Sequence, residues 1–457
     1  MLFSPLNIEF NSEINLPRSK SESNRALMIM HYYGIQELKI QRHRDTETQR
    51  HRDAKTQRHK VAEICVHDST TLRLCDIGSC VSNSDDTILL RKLLSFVFSH
   101  FADNEVVELN CANAGTVLRF LMTAVGMIKG SFVLTGCERM KQRPIKPLVD
   151  ALRTLGASIE YLENESYPPV LIKGCEIVGG ELEISVNQSS QFVSSLLLAA
   201  PLWKHGLSLS LTGNLVSLPY IDMTVDMMKT AGINVVRDGR KITVKHSKYN
   251  LDNLVIEPDW SAAAFWYEIL VMSEKTEILL KNLNINSLQA DAAAIKMFEC
   301  LGIGTNQVKD GVVIKKVDSQ KSTVGSNSSF FIFNFQDCPD LFPAVIAACA
   351  GMKIDAEFSG LKNLSIKESD RKKAMMNELM KINISFDEIS DDVLRMKCPD
   401  LLPYFTEDNP IVFNNYEDHR IAMSLVPLAM KIGYIEMQNT EVVSKSYPDF
   451  FKDYKIC

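Results

Sequence analysis

The sequence contains little glycine and proline, has no Cys-x-x-Cys pair and carries no excess of positive charge. Its 457 residues include 21 Gly, 16 Pro and 11 Cys, a composition that excludes collagen-like, disordered and disulfide-stapled proteins. The closest cysteines, Cys75 and Cys80, match neither a zinc ribbon nor a haem attachment site, so we expect reduced, buried thiols. The formal net charge is −6, which excludes a general attraction to nucleic acid or anionic membranes. An anionic ligand must therefore be bound by local clusters of cations.

Long apolar segments are absent as well. No stretch approaches the roughly 18 to 20 apolar residues of a membrane span, and the first ten residues lack the basic and apolar segments of a secretory signal. We therefore expect a cytoplasmic protein. Apolar residues make up 46% of the chain, and its length predicts two or three globular domains with large cores.

A helix that ends at Gly or Asn and leads into a short strand recurs along the chain. The residues at the turn are Gly156, Gly232, Gly302 and Asn383, at spacings of 76, 70 and 81 residues. Gly and Asn tolerate the left-handed conformation that ends many helices. Repeats of this length are typical of a helix-and-strand module rather than of a solenoid. The sequence therefore predicts an α/β protein built by internal duplication.

Residues 41 to 64 form a repeat of another kind, with a period of eight residues: QRHRDTET, QRHRDAKT and QRHKVAEI. Its histidines suggest a metal site, but residues eight apart are separated by about 12 Å along a helix and about 26 Å along a strand, too far to share one ion. The segment is basic but has no interleaved aromatic residues, as nucleic-acid-binding segments often have. We expect a solvated, mobile insertion in a loop, and we expect its deletion from Gln41 to Lys60 to leave turnover near wild type.

Five polar clusters come directly before apolar helical segments, where free N–H groups and the helix dipole favour anions. They lie at residues 19–25, 113–116, 188–191, 367–371 and 417–420. In the first, Lys20 and Arg25 with several hydroxyls suit a phosphate, and in the second, Gly115 allows an anion to approach the backbone. Helix capping or surface ion pairs would explain each of the other three taken alone. Arg143 and Lys445 add further cations, and such dispersal along the chain suits a cleft between two lobes.

The motifs that contain these residues occur together in one order: LPRSKSESNRAL, NAGTVLRF, ERMKQRPIKPLVDAL, QSSQF, SLPYID, CPDLFPA, IKESDR, YEDHRIAM and KSYPDFF. Together they resemble the family of 5-enolpyruvylshikimate-3-phosphate synthases, over the whole chain outside about residues 34 to 80. The resemblance implies the α/β fold of the enolpyruvyl transferases, a two-lobed inside-out α/β barrel with three βαβαββ-type repeats in each lobe and the active site in the interdomain cleft. The first lobe would comprise residues 1–19 and 258–457, and the second lobe residues 20–257.

The resemblance also implies a reaction. The enolpyruvyl group of phosphoenolpyruvate would be transferred to the 5-hydroxyl of shikimate 3-phosphate, by addition and elimination through a tetrahedral intermediate, with release of phosphate. This transferase reaction belongs to the shikimate pathway of aromatic amino acid biosynthesis. No cofactor and no metal are implied, the partners would be the two small-molecule substrates rather than nucleic acid or membrane, and the enzyme would be a monomer. Because Gly115 is present, we expect inhibition by glyphosate, which resembles phosphoenolpyruvate in its charge layout.

Both substrates are multiply anionic, so the residues that bind them are cations, hydroxyls and amides. By resemblance, phosphoenolpyruvate would be bound by Lys20, Gly115, Arg143, Gln191, Arg371, Arg420 and Lys445. Shikimate 3-phosphate would be bound by Lys20, Ser21, Arg25, Ser189, Ser190, Gln191, Ser217, Tyr220, Asp340, Asn363 and Lys367. One carboxylate must remove the hydroxyl proton and another must exchange a proton with the methylene group, and the resemblance implies Asp340 and Glu368. Lys20 and His419 would assist, and their separate roles stay open.

Two residues depart from the family pattern. Arg18 stands where a small residue is usual, and Phe120 stands where many members have Pro. Two other functions also stay open. The sister enolpyruvyl transferase that acts on UDP-N-acetylglucosamine uses a reactive cysteine on a loop, and Cys137 lies in the corresponding region, although the motif around it fits the shikimate enzyme. An inactive scaffold of the same fold is the second alternative.

Overall fold

The computed structural model describes residues 1–5, 12–48, 81–99, 105–187, 189–317 and 331–454. The chain divides into two compact units. The first unit contains Met1–Ser19, Asn83–Asp85 and Glu257–Cys457, and the second contains Lys20–Ser82 and Asp86–Ile256. Each unit has its own buried hydrophobic core.

The strands of the described residues are short. They are β1 (Leu2–Phe3), β2 (Glu13–Ile14), β3 (Val106–Asn110), β4 (Gly130–Thr135), β5 (Ser158–Tyr161), β6 (Val170–Gly174), β7 (Gly180–Ser185), β8 (Leu207–Thr212), β9 (Val235–Asp238), β10 (Lys241–Val244), β11 (Glu277–Lys281), β12 (Ile303–Val308), β13 (Gly311–Lys316), β14 (Phe331–Asn334), β15 (Ala356–Ser359), β16 (Ser385–Glu388), β17 (Leu394–Lys397), β18 (Ile411–Phe413) and β19 (Ile435–Met437).

Helices connect these strands. They are α1 (Lys20–Thr48), α2 (Asp85–Ser99), α3 (Gly115–Gly126), α4 (Lys146–Thr154), α5 (Ser190–Ala199), α6 (Leu218–Thr230), α7 (Trp260–Met272), α8 (Ala294–Glu299), α9 (Phe342–Gly351), α10 (Arg371–Met380), α11 (His419–Leu425), α12 (Ala429–Ile432) and α13 (Phe450–Asp453). Short 3₁₀ helices lie at Met140–Gln142, Ala200–Leu202, Ala290–Ala293, Pro339–Leu341, Lys362–Ile366, Val426–Leu428 and Thr440–Lys445.

One βαβαββ pattern recurs in the sheets. In the second unit, β3 pairs in parallel with β4, β6 pairs antiparallel with β4, and β5 lies at the edge. The orders β7-β8-β10-β9, β14-β15-β17-β16 and β2-β11-β13-β12 repeat this arrangement, while β18, β19 and β1 form a three-stranded sheet. The prediction of an α/β protein built from a repeated helix-and-strand module is confirmed.

The turn residues of the repeat have the predicted backbone conformation. Gly156, Gly232, Gly302 and Asn383 have φ angles of +103°, +80°, +85° and +66°. They follow the ends of α4, α6, α8 and α10, and they precede β5, β9, β12 and β16. After α4, the Ala157 N–H donates to the Leu152 carbonyl at 2.9 Å, as in a helix terminated by a left-handed residue. This turn sends the chain from each amphipathic helix back into its sheet.

The helices that carry the predicted anion clusters are buried along most of their length. In the second unit α1, α3 and α5 pack against one another, and in the first unit α7, α9 and α11 do so. Almost every residue of α3, α5, α7, α9 and α11 is buried, which is expected of helices that are apolar on all sides. The polar residues of these helices are therefore concentrated at their N-termini.

The polar repeat begins inside a helix. Its first octapeptide, residues 41–48, continues α1, so the prediction of a loop is wrong for this part. The octapeptide contains neither Gly nor Pro, and its Gln, Arg and Glu residues favour helix. The rest of the predicted insertion, residues 49 to 64, lies outside the described residues.

The described cysteines are free thiols, as predicted. Cys111, Cys338 and Cys349 are buried, whereas Cys137 and Cys300 are exposed, so the prediction of burial is wrong for these two. Cys137 follows the end of β4 and Cys300 follows the end of α8, where the chain reaches the surface. Of the helices that the structure describes, none has both the length and the apolar character needed to cross a membrane.

Candidate active site

Asp340 lies among three cations of the first unit. It belongs to the 3₁₀ helix that leads into α9. Its Oδ1 accepts hydrogen bonds from Arg371 Nη1 at 2.7 Å and from Lys367 Nζ at 3.3 Å, and its Oδ2 accepts one from Arg420 Nη2 at 3.0 Å. Burial lowers the pKa of Lys367, and the nearby arginines lower it further against the effect of Asp340. One carboxylate thus holds three mutually repelling cations close together.

A second carboxylate, Asp418, fixes Arg371 from the other side. Arg371 Nε and Nη2 donate to the two oxygens of Asp418 at 2.8 and 3.3 Å, and Ser369 Oγ donates to Asp418 at 3.0 Å. Asp418 also caps α11, because its Oδ1 accepts from the Arg420 N–H. Burial alone would lower the pKa of Arg371, but Asp418, Asp340 and Glu368 together raise it. Arg371 is therefore a permanent cation in a fixed orientation.

Glu368 has a separate set of neighbours. Its Oε2 lies 2.9 Å from His419 Nδ1, 3.4 Å from Lys445 Nζ and 4.0 Å from Arg371 Nη2. His419 is fully buried at the first position of α11. A carboxylate in contact with an imidazole and an amine can give or take a proton from either group.

Glu368, Asp418 and His419 also offer donor atoms that lie within 4.8 Å of one another, and such a set could hold a metal ion in type and number. Both oxygens of Asp418 already accept hydrogen bonds from Arg371. A metal ion would therefore lie beside a buried guanidinium of the same charge, which is unfavourable. The expectation that no metal is used stays a prediction.

In the second unit, Gly115 begins α3 beside two buried arginines. A Cβ atom at this position would lie 2.6 Å from both terminal nitrogens of Arg143 and 2.7 Å from Nη1 of Arg119. Burial and the neighbouring Arg143 lower the pKa of Arg119 well below its usual value. Two guanidinium groups at a helix N-terminus form a strong anion-binding arrangement, and the missing side chain of Gly115 leaves room for them.

Gln191 connects the starts of α3 and α5. Its Oε1 accepts from Arg119 Nη1 at 2.5 Å, and its Nε2 donates to Thr116 Oγ1 at 2.8 Å. Its backbone N–H donates to Ser189 Oγ, the N-cap of α5, at 3.2 Å. Ser190 is the first residue of α5, and Gln188 lies outside the described residues. The predicted residues of this cluster thus lie beside Gly115 and Arg119.

Arg25 holds together the other predicted residues of the second unit. Its Nη1 donates to the Ser21 carbonyl at 2.9 Å and its Nη2 donates to the Tyr220 carbonyl at 3.1 Å. Further bonds run from Nε to Thr224 Oγ1 and from Nη2 to Ser194 Oγ. Arg25 is only 2% exposed, and most of its donors are used inside the protein. It therefore positions Ser21 and Tyr220, whatever it contributes to binding.

The remaining predicted residues lie at the starts of helices. Lys20, the first residue of α1, has its Nζ 3.3 Å from Asp86 Oδ2. Ser217 has a φ of +55° and directly precedes α6. Asn363 lies in the 3₁₀ helix Lys362–Ile366 and is half-buried. The prediction that the five polar clusters precede helices is confirmed at each of them.

Three residues of these clusters were not predicted to have a role. Arg119 lies inside the apolar segment VLRF, where a single buried arginine was the available signal. Asp418 lies between two residues of a motif and carries the signal of a helix cap. Asp86 lies 66 residues from its partner Lys20, and no local pattern indicates that pair.

Comparison with known proteins agrees with this arrangement. A family model described as EPSP synthase (3-phosphoshikimate 1-carboxyvinyltransferase) matches residues 95–454. A 3-phosphoshikimate 1-carboxyvinyltransferase of Bacteroides fragilis is 36% identical over 387 residues, which cover 83% of this chain and 88% of that protein. One of Aliivibrio fischeri is 30% identical over 450 residues, covering 98% and 97%.

Solved structures show the same fold. The EPSP synthase of Acinetobacter baumannii has a TM-score of 0.66 at 20% identity, covering 99% of this chain and 96% of that one. The predicted α/β enolpyruvyl transferase fold is therefore confirmed. Taken with the family model and the relatives of 30% identity or more, the fold and the clusters of cations and carboxylates show that this chain belongs to the EPSP synthase family.

Proposed function

We propose that the protein transfers the enolpyruvyl group of phosphoenolpyruvate to the 5-hydroxyl of shikimate 3-phosphate and releases phosphate. The activity follows from its family and from relatives that carry this enzyme's name. Within the chain, the observation that supports it best is the contact of Asp340 with Arg371, Arg420 and Lys367. This contact provides a base and groups that bind anions in one place.

The residues that bind the substrates come from both units. We assign phosphoenolpyruvate to Lys20, Gly115, Arg143 and Gln191 of the second unit and to Arg371, Arg420 and Lys445 of the first. We assign shikimate 3-phosphate to Lys20, Ser21, Arg25, Ser189, Ser190, Gln191, Ser217 and Tyr220 of the second unit and to Asp340, Asn363 and Lys367 of the first. Cations and hydroxyls predominate in both sets, as multiply anionic ligands require.

Substrate binding changes the setting of Asp340. Without substrate, Arg371, Arg420 and Lys367 stabilise its ionised form. The phosphate and carboxylate groups of the substrates compete for the same donors, and each donor that they take weakens this stabilisation. Asp340 therefore becomes a stronger base when the 5-hydroxyl has to lose its proton.

Glu368 has a second proton-transfer role in this proposal. As the 5-oxygen attacks C2 of phosphoenolpyruvate, C3 gains a proton to form the tetrahedral intermediate. In the elimination, C3 loses a proton and the bond from C2 to the phosphate oxygen breaks. The contacts of Glu368 with His419 and Lys445 let it deliver and recover this proton, and Lys20 or His419 assists by moving protons or stabilising charge.

Phosphate release from phosphoenolpyruvate tests the proposal, with shikimate 3-phosphate and UDP-N-acetylglucosamine as alternative acceptors. We expect release with shikimate 3-phosphate alone. We expect Asp340→Asn and Glu368→Gln each to lower kcat by about 100-fold or more, and Asp310→Asn, at an exposed turn, to keep wild-type turnover. Release with the nucleotide sugar would assign the sister activity, and no release with either acceptor from folded protein would indicate an inactive scaffold.

We also propose that the protein is a cytoplasmic monomer and that its two compact units correspond to the two lobes of the family. The boundaries at residues 19 and 257 support the second statement. Size-exclusion chromatography with light scattering tests the oligomeric state, and a mass of two chains would contradict it.

A further inference from the structure

Behind Arg420 lies a buried acid that takes no part in the proposed reaction. Arg420 Nη2 donates to Asp340 Oδ2 at 3.0 Å and to Ser261 Oγ at 3.1 Å. Ser261 Oγ in turn donates to Oδ2 of Asp291. Asp291 is only 3% exposed. Hydrogen bonds thus connect Asp291 to Asp340 through one hydroxyl and one guanidinium.

The position of Asp291 is fixed by its neighbour in the chain. Gln289 Oε1 accepts from the Trp260 N–H at 3.0 Å, and its Nε2 donates to the Pro258 carbonyl at 2.8 Å. These bonds attach the 3₁₀ helix Ala290–Ala293 to the start of α7, which also carries Ser261. The contact between Asp291 and Ser261 is therefore built into the backbone arrangement.

The hydroxyl of Ser261 can donate only one proton. When Asp291 is ionised, it accepts that proton and leaves an oxygen lone pair of Ser261 directed at Arg420. When Asp291 is neutral, it no longer requires this orientation, and the hydroxyl can turn away from Arg420. We propose that Asp291 is a positioning residue that acts through Ser261 to hold Arg420 in place beside Asp340 for binding phosphoenolpyruvate.

The charges around Asp291 make this arrangement sensitive to pH. Asp340, Arg420 and Asp259 face it, and the Cys338 thiol also lies within its electrostatic reach. Burial and the repulsion from Asp340 raise the pKa of Asp291 to about 6, against the opposing effects of Arg420 and Ser261. Protonation of Asp291 in mild acid is then expected to weaken the binding of phosphoenolpyruvate.

The inference rests on the proposed roles of Arg420 and Asp340, and steady-state kinetics from pH 5 to 8 test it. We expect Ser261→Ala to raise KM for phosphoenolpyruvate about tenfold at pH 7.5, the effect of losing one charge-assisted hydrogen bond, with less than about threefold change in kcat. Ser261→Thr, which keeps the hydroxyl, should restore a KM near wild type. Asp291→Asn should raise KM to a similar extent and remove the inflection near pH 6, whereas the control Asp310→Asn should retain it.

The outcomes separate this inference from the proposed function. Wild-type KM and pH profile in both Asp291→Asn and Ser261→Ala, with Asp340→Asn inactive, would overturn the inference alone. Full activity of Asp340→Asn would contradict the proposed function itself. If thermal unfolding shows that Asp291→Asn does not fold, the pair Ser261→Ala and Ser261→Thr decides, because equal KM values for the two variants would overturn the inference.

Discussion

Arg371 and Asp418 form a doubly hydrogen-bonded ion pair with almost no solvent exposure, at 2.8 and 3.3 Å. The side chains are 2% and 0% exposed. Burial alone would raise the pKa of Asp418, but Arg371 more than offsets this effect and lowers it. The pair therefore stabilises the fold above the unfolded pKa of an aspartate, near 4, and this stabilisation is lost as the pH falls through the still lower folded pKa.

We expect Asp418→Asn to reduce both stability and substrate binding. The variant leaves the buried Arg371 without the negative charge of Asp418, which costs about 3 to 5 kcal/mol in comparable pairs. Urea unfolding should show this loss, and KM for phosphoenolpyruvate should rise because Arg371 loses its fixed orientation. The exposed Asp310→Asn serves as the control, and unchanged unfolding of Asp418→Asn would mean that Asp340 and Glu368 hold Arg371 without help.

Replacing Gly115 with Ala should impair the binding of phosphoenolpyruvate with little effect on stability. The new Cβ would lie 2.6 Å from the terminal nitrogens of Arg143, and a flexible guanidinium can move away at small cost. The displaced guanidinium then meets the ligand less well, so KM for phosphoenolpyruvate should rise about tenfold or more, and inhibition by glyphosate should weaken. Gly126→Ala, in the same helix with no atom within 4 Å of its Cβ, is the matched control. Normal inhibition of the Gly115→Ala variant would contradict the prediction.

The repeated module could be predicted from the sequence because its signals are local. Gly156 and Asn383 mark helix ends within a few residues of the strands that follow, and the polar clusters mark helix starts in the same way. The roles of Asp340 and Glu368 came from the order of whole motifs. That order indicates which residues belong together, but it gives no distances.

Contacts between distant segments could not be predicted in this way. Asp291 reaches Arg420 through Ser261 over 129 residues of sequence, and neither its apolar neighbours nor its spacing indicates a partner. Arg119 follows the same logic, since its partner Gln191 lies 72 residues away. Only the packing of buried helices against one another brings such residues together.

Glu268 is predicted to destabilise the first unit. It lies in the middle of α7 with 0% exposure, and neither of its carboxyl oxygens has a hydrogen-bond partner among the residues that the structure describes. Burial raises its pKa well above the usual value, so the group is buried in its neutral form. Glu268→Met, with similar volume and no unsatisfied polar atom, should raise the free energy of unfolding by about 1 to 3 kcal/mol.

Urea unfolding at pH 7 measures this change, with the exposed Glu277→Met as the control. A lower stability of Glu268→Met would show that the carboxyl makes a favourable interaction in the native state.

His31 should make the second unit less stable in mild acid. It is 4% exposed on α1, and burial lowers its pKa from 6.5 to about 4. Between these two values the unfolded chain binds more protons than the native one, so stability falls as the pH decreases from 6.5 to 4 and is fully retained above 6.5. The shift corresponds to about 3 kcal/mol.

Urea unfolding of wild type and His31→Gln from pH 4 to 8 isolates this effect. Asp291 titrates in part of the same range with the opposite sign, because its raised pKa makes the native state bind more protons. The difference between the two proteins removes that contribution, and it should grow in favour of His31→Gln as the pH falls. The exposed His205→Gln should follow wild type. A difference that stays constant with pH would show that His31 is protonated as easily in the folded chain as in the unfolded one.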